Sequence, residues 1–167
     1  VAPSRILSRI KSVFALDNQR SKVDMPEATI TVNPQKILEI KIPSRKERIS
    51  SLLSATQSAA RNGALKSVVR LTTSILDLQS DFVPAIGLRA EANLRLGFYD
   101  EARSDADQVL RLSQDSVAAR CIRAEVALLT GFPEMALLEA KAAMRVSGND
   151  PALTAIIEKA NAVLSSK

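Results

Sequence analysis

"RLGFYDEARSDADQVLRL" occupies residues 95–112, and 34 residues later "LTGFPEMALLEAKAAMRV" repeats its pattern at 129–146. Carrying the comparison back by one more period brings Gly63 into register with Gly97 and Gly131, three of the five glycines in the chain. Strict phase at such a period marks a repeat array, in which each unit buries its apolar face only by stacking on its neighbours. Around Gly97, apolar residues recur at spacings near three and four on both sides: Ile86, Leu88, Ala90 and Leu94 before it, Ala102, Ala106, Val109 and Leu110 after it. Each unit is therefore expected to be a helical hairpin. Gly63, Gly97 and Gly131 are its structural turn glycines, because the residue just past a helix often sits at positive φ, where a Cβ is disfavoured.

Small residues fall in columns of the same period: Thr56, Ala90 and Ala124 before the glycines, Val68, Ala102 and Ala136 after them, then Ile75, Val109 and Ala143. Small side chains at facing positions let antiparallel helices approach closely. Larger residues are expected to fill the adjoining columns, Leu76, Leu110 and Met144, then Leu78, Leu112 and Val146.

This column pattern resembles the tetratricopeptide repeat. The resemblance covers residues 49–150 in units 49–82, 83–116 and 117–150, and "LGFYDEA" carries it best, with Gly97, Tyr99, Asp100, Glu101 and Ala102 as turn glycine, aromatic, acidic pair and small alanine. Other positions depart from it. Leu52, Ile86 and Arg120 replace the early aromatic, and Ser80, Gln114 and Gly148 replace the closing proline. The fold class implied is all-α, a short right-handed α-solenoid of antiparallel hairpins over residues 45–167, preceded by an arm at 1–44.

After the third unit, "NDPALTAIIEKANAVL" begins with Asp150 as N-cap and Pro151 at the first helical position, where a missing N–H costs nothing. Leu153, Ile156, Ile157, Ala160, Val163 and Leu164 form one stripe. A solenoid needs such a helix to cover its last apolar face. The other reading is an interface helix for a second subunit. At the other end, Ser44 followed by Glu47 forms a capping box, so the first solenoid helix is expected near Arg45.

The 167-residue chain has a net charge of +5, and all of the excess lies in residues 1–48, with ten Lys or Arg against five Asp or Glu. "VAPSRILSRIKSVFALD" places Ile6, Leu7, Ile10, Val13 and Phe14 on one helical face. Three readings stay open: a docking segment, with Ile6, Ile10 and Phe14 as contacts, a basic membrane-surface helix, and a remnant of a transit peptide. Residues 17–43, interrupted by Pro26, Pro34 and Pro43, are expected to form an extended linker.

No catalytic constellation is visible. The chain has no His and one Cys, its five glycines never reach a phosphate-loop spacing, and no run of about 18 apolar residues suggests a membrane span. Cys121 reads as a small core residue. Asp100 with Glu101, and Asp105 with Asp107, follow a turn glycine and are expected to be helix-start residues favoured by the dipole. No cofactor and no metal are expected, and the chain is not expected to be an enzyme.

In the tetratricopeptide family the first helix of each unit lines the concave face. That resemblance assigns to it Ser50, Leu53, Gln57 and Arg61, then Gly87, Glu91, Leu94 and Arg95, then Cys121, Glu125, Leu128 and Leu129. Family members that clamp acidic chaperone tails use Lys, Arg and Asn there, whereas this chain has Leu53, Gln57, Leu88, Ala118 and Ile122, with Glu91 and Glu125 adding negative charge. A carboxylate clamp is not expected, because acidic side chains repel such a ligand. The expected function is a protein–protein interaction adaptor, or a scaffold subunit of a larger multi-subunit complex, with a partner segment in the concave groove and a second contact through the arm. The alternative is an RNA-binding, pentatricopeptide-like helical repeat in an organelle, which a neutral repeat body disfavours. A cytoplasmic location is expected, with a mitochondrial one as the alternative.

Overall fold

The computed structural model describes residues 42–166. Seven helices follow in chain order: α1 Arg45–Arg61, α2 Leu65–Leu78, α3 Val83–Leu96, α4 Tyr99–Leu112, α5 Val117–Leu129, α6 Pro133–Ser147 and α7 Pro151–Ser165. The arm contacts Ile6, Ile10 and Phe14, and the linker up to Lys41, lie outside the described residues.

The three hairpin turns close in the same way. After α1, α3 and α5 the chain turns back through Gly63, Gly97 and Gly131 at φ +68°, +82° and +85°. The next backbone N–H in each case reaches five residues back: Ala64 to the Ala59 carbonyl at 2.9 Å, Phe98 to Asn93 at 2.9 Å and Phe132 to Ala127 at 2.8 Å. Such closures satisfy carbonyls that a helix end otherwise leaves unpaired. A Cβ placed on any of these glycines would meet nothing within 4 Å, so the turn requires glycine for its φ and not for space. Gly148 also has positive φ, which the sequence pattern did not foreshadow.

The outer ends are fixed by side-chain caps. Ser44 Oγ accepts from the Glu47 N–H at 3.2 Å while the Ser44 N–H donates to Glu47 Oε2 at 2.6 Å, so α1 starts where the capping box placed it. Asp150 Oδ1 accepts from the Ala152 N–H at 2.8 Å and Pro151 opens α7.

Each helix packs on the one before it, and the core divides into three clusters, each spanning three successive helices. Ile49, Ile75 and Ala85 join α1, α2 and α3. Ile86 and Ala90 join Ala102, Ala106 and Val109 and then Ala119, Ile122 and Val126. Ala124, the α6 alanines 136, 140 and 143, and Leu153, Ile156 and Ala160 form the third. The small columns are buried throughout. Thr56 is tolerated in an alanine column because its hydroxyl donates to the Leu52 carbonyl at 2.8 Å, so no polar atom goes unpaired there.

Two expectations about apolar residues are corrected. Leu112 and Val146 are exposed, at the ends of α4 and α6 where the chain turns away to the next unit. Val163 is also exposed; α7 buries only the side carrying Leu153, Ile156 and Ala160. A third correction concerns charge. Asp105 is not a helix-start residue: it is buried in the middle of α4, and Arg89 donates to it from Nε and Nη2 at 2.9 and 2.7 Å. Asp107 likewise lies mid-helix and pairs with Arg123 at 2.9 Å. Only Asp100 and Glu101 occupy the first turn.

The layers differ in spacing. α3 touches α5 and α5 touches α7, whereas among the described residues α2, α4 and α6 make no extensive contact with one another. From α3 onward the first-helix side is in contact while the second helices stay apart, which curves this part of the stack toward the first-helix side.

Candidate partner-binding surface

The first helices and α7 form the inner layer, and the twelve residues assigned to the concave face all lie on α1, α3 or α5. On α1, Leu53 is half-buried against Ile49, Ile75 and Ala85, while Gln57 and Arg61 are exposed. On α3, Gly87 is half-buried, Leu94 packs against the middle core, and Glu91 is exposed and paired with Arg95 one turn on at 2.6 Å. On α5, Cys121 and Leu128 pack against the third core cluster and Glu125 is exposed.

At the C-terminal end these residues meet α7. Glu125, Leu128 and Leu129 line a groove of about 320 Å³ together with Ala152, Ala155, Ile156 and Lys159. Leu129 is 57% exposed, a bulky apolar side chain that the body leaves uncovered. Among the described residues Glu125 makes no ion pair, whereas Glu91 has Arg95. The groove therefore has an apolar floor and two charges of opposite sign, Glu125 and Lys159, neither of which makes an ion pair among the described residues.

Cys121 is held as a thiol. Burial pushes its pKa above the ordinary 9.0, and the nearby carboxylates of Asp150 and Glu125 push the same way. A thiol kept protonated is a poor nucleophile and a poor metal ligand. Among the described residues no group of three or more His, Cys, Asp or Glu could hold a metal ion, and no helix is long and apolar enough to cross a membrane.

The sequence pattern did not reveal the ion pairs that cross the hairpins. Arg89 reaches from α3 to Asp105 on α4, and Arg123 reaches from α5 to Glu139 on α6 at 2.8 Å, with Arg120 3.4 Å from the same carboxylate. A signal was available, since Arg89 and Arg123, like Asp105 and Glu139, stand one repeat apart.

No family model and no curated protein sequence matches the chain. Solved structures do match. The second TPR domain of human RPAP3, in complex with the HSP70 peptide SGPTIEEVD, has a TM-score of 0.66 at 15% identity, over 71% of this chain and 98% of that one. The Arabidopsis OM64 TPR domain has a TM-score of 0.68 at 14% identity, over 71% and 98%. The described body has the tetratricopeptide-repeat fold. The P58(IPK) TPR domain extends the match to 96% of this chain and 41% of its own, at a TM-score of 0.68 and 18% identity. At these identities the likeness is one of fold.

Proposed function

We propose that the tetratricopeptide-repeat body is a non-enzymatic adaptor or scaffold subunit that receives a segment of a partner protein on the inner layer. The observation that carries this reading is the groove between α5 and α7, where unpaired Glu125 stands beside Leu128, uncovered Leu129 and Ile156. Apolar area gives such a surface affinity, and Glu125 together with Glu91 one unit away on the same layer favours basic over acidic side chains, while Lys159 leaves room for an acidic one beside them. The segment is therefore basic or amphipathic. The human RPAP3 domain is bound to a peptide ending in EEVD; the same tail on this layer would face Glu91 and Glu125, and Ile122, at one of the positions that clamp residues would need, is buried in the core. In this reading the arm supplies a second contact to the assembly through Ile6, Ile10 and Phe14.

The test is the double substitution Glu91→Lys with Glu125→Lys. Partners are captured by affinity pull-down with cross-linking, and the melting temperature is measured in parallel. The expected result is loss of the captured partner with a nearly unchanged melting temperature, because exposed charges contribute only about 0–1 kcal/mol each to stability. Glu125→Lys alone should weaken capture more than Glu91→Lys, whose charge is already opposed by Arg95. Undiminished capture would remove the inner layer from the binding surface, and an affinity for RNA that falls steeply with salt would favour the nucleic-acid alternative.

A further inference from the structure

The gaps between the second helices open grooves on the opposite side of the body. One, of about 620 Å³, lies between α2 and α4 with α3 as its floor. Its equivalent one unit later, about 260 Å³, lies between α4 and α6 over α5. The two correspond column by column: Phe98, 50% exposed at the mouth of the first, stands where Phe132, 59% exposed, stands in the second. The linings differ at several positions, Val69 against Arg103, Leu96 against Thr130 and Glu101 against Met135 among them, and one difference concerns an amide. The floor of the first groove carries Asn93 where the second has Ala127 and the first unit has Ala59.

Asn93 is 5% exposed, and among the described residues its carboxamide makes no hydrogen bond. The amide is not sealed from solvent, so it stands in the groove floor without an internal partner and open to the groove. Alanine at the same place in both neighbouring units means that the packing does not need the amide. The neighbouring charges do not engage it, since Arg89 and Asp105 bond to each other at the floor. A carboxamide offers one acceptor and two donors side by side, which matches the N–H and C=O of an extended main chain.

We infer that this outer groove binds an extended protein segment, whose main-chain amide pairs with Asn93 and whose bulky apolar side chain packs against Val69, Leu96 and Phe98. The rim sets its direction. Lys66 on the α2 wall and Glu101 on the α4 wall make no ion pair among the described residues. A complementary segment carries an acidic residue toward α2 and a basic one toward α4.

The probe is a displayed library of short random peptides, selected on the whole chain and measured individually by fluorescence polarisation. Selected peptides should share a bulky apolar residue flanked by opposite charges, and should bind Asn93→Ala and Phe98→Ala about tenfold or more weakly. The melting temperature of Asn93→Ala should be unchanged or raised. The exchange of Lys66→Glu with Glu101→Lys should select the reverse order of charges, while Glu91→Lys with Glu125→Lys should leave the peptides bound. The inference is overturned if no peptide is selected, if the selected peptides bind Asn93→Ala as tightly as the native chain, or if only the inner-layer substitutions release them.

Discussion

Arg89 grips Asp105 across the middle hairpin by two parallel hydrogen bonds, and the carboxylate is almost wholly covered. The same columns hold Arg123 and Glu139 in the third hairpin, but Ala55 and Leu71 in the first. One fold position is thus filled by an ion pair twice and by an apolar pair once. Removing one member leaves a desolvated charge without its partner, so Asp105→Ala should cost about 2–3 kcal/mol, somewhat less than a fully buried pair because Arg89 reaches some solvent. Replacing both, Arg89→Ala with Asp105→Leu, copies the first unit and should cost less than either single change. A double-mutant cycle by urea unfolding measures this; strictly additive losses would mean that the pair is not coupled.

Ala102 is 0% exposed between α3 and α4. Ala102→Leu has no room for its added carbons and should destabilise the body by roughly 1–3 kcal/mol. Thermal unfolding followed by circular dichroism gives the answer, and an unchanged midpoint would contradict the packing of that column.

Two glycines should respond to alanine in opposite directions. Gly97 sits at φ +82°, so Gly97→Ala should cost about 1–2 kcal/mol although the space around it is empty. Gly87 lies inside α3, and a methyl group there would meet nothing within 4 Å, so Gly87→Ala should gain about 0.5–1 kcal/mol by restricting the unfolded chain. Chemical denaturation of the two variants side by side decides it.

The Cys121 pKa has a consequence for pH. The folded state holds the thiol proton more tightly than the unfolded chain, so stability from this group is complete below about pH 9 and declines as pH rises through the folded value. The melting temperature of the native chain should fall more steeply above pH 9 than that of Cys121→Ala, and alkylation by iodoacetamide at neutral pH should be slow. Equal pH profiles would show that the thiol is not shielded.

Much of the scaffold was legible because its determinants repeat. Gly63, Gly97 and Gly131 announce three turns, and a column such as Thr56, Ala90 and Ala124 announces close approach, since both constraints act on single residues. Asp105 was misread for the opposite reason. A carboxylate on an amphipathic helix looks solvated until the long side chain that reaches it from another helix is known. Leu112 and Val146 failed because apolar character shows what a residue tolerates, whereas burial depends on how far the neighbouring helix extends. Asn93 gave no sign at all: beside Leu94 it reads as an ordinary polar residue, and its interest comes from the alanines at the same place in adjacent units.

The contact order of the body is low. Every extensive contact among the described residues joins helices that are consecutive or next but one in the chain. No distant segments have to find each other, so the search entropy that slows β-rich proteins is largely absent. A hairpin such as α3–α4 can form from its own residues and recruit α2 and α5 in either order. Refolding of the body should accordingly be complete on the microsecond-to-millisecond scale typical of locally connected helical proteins, with amide exchange fastest at α1 and α7, the two ends of the helix stack among the described residues.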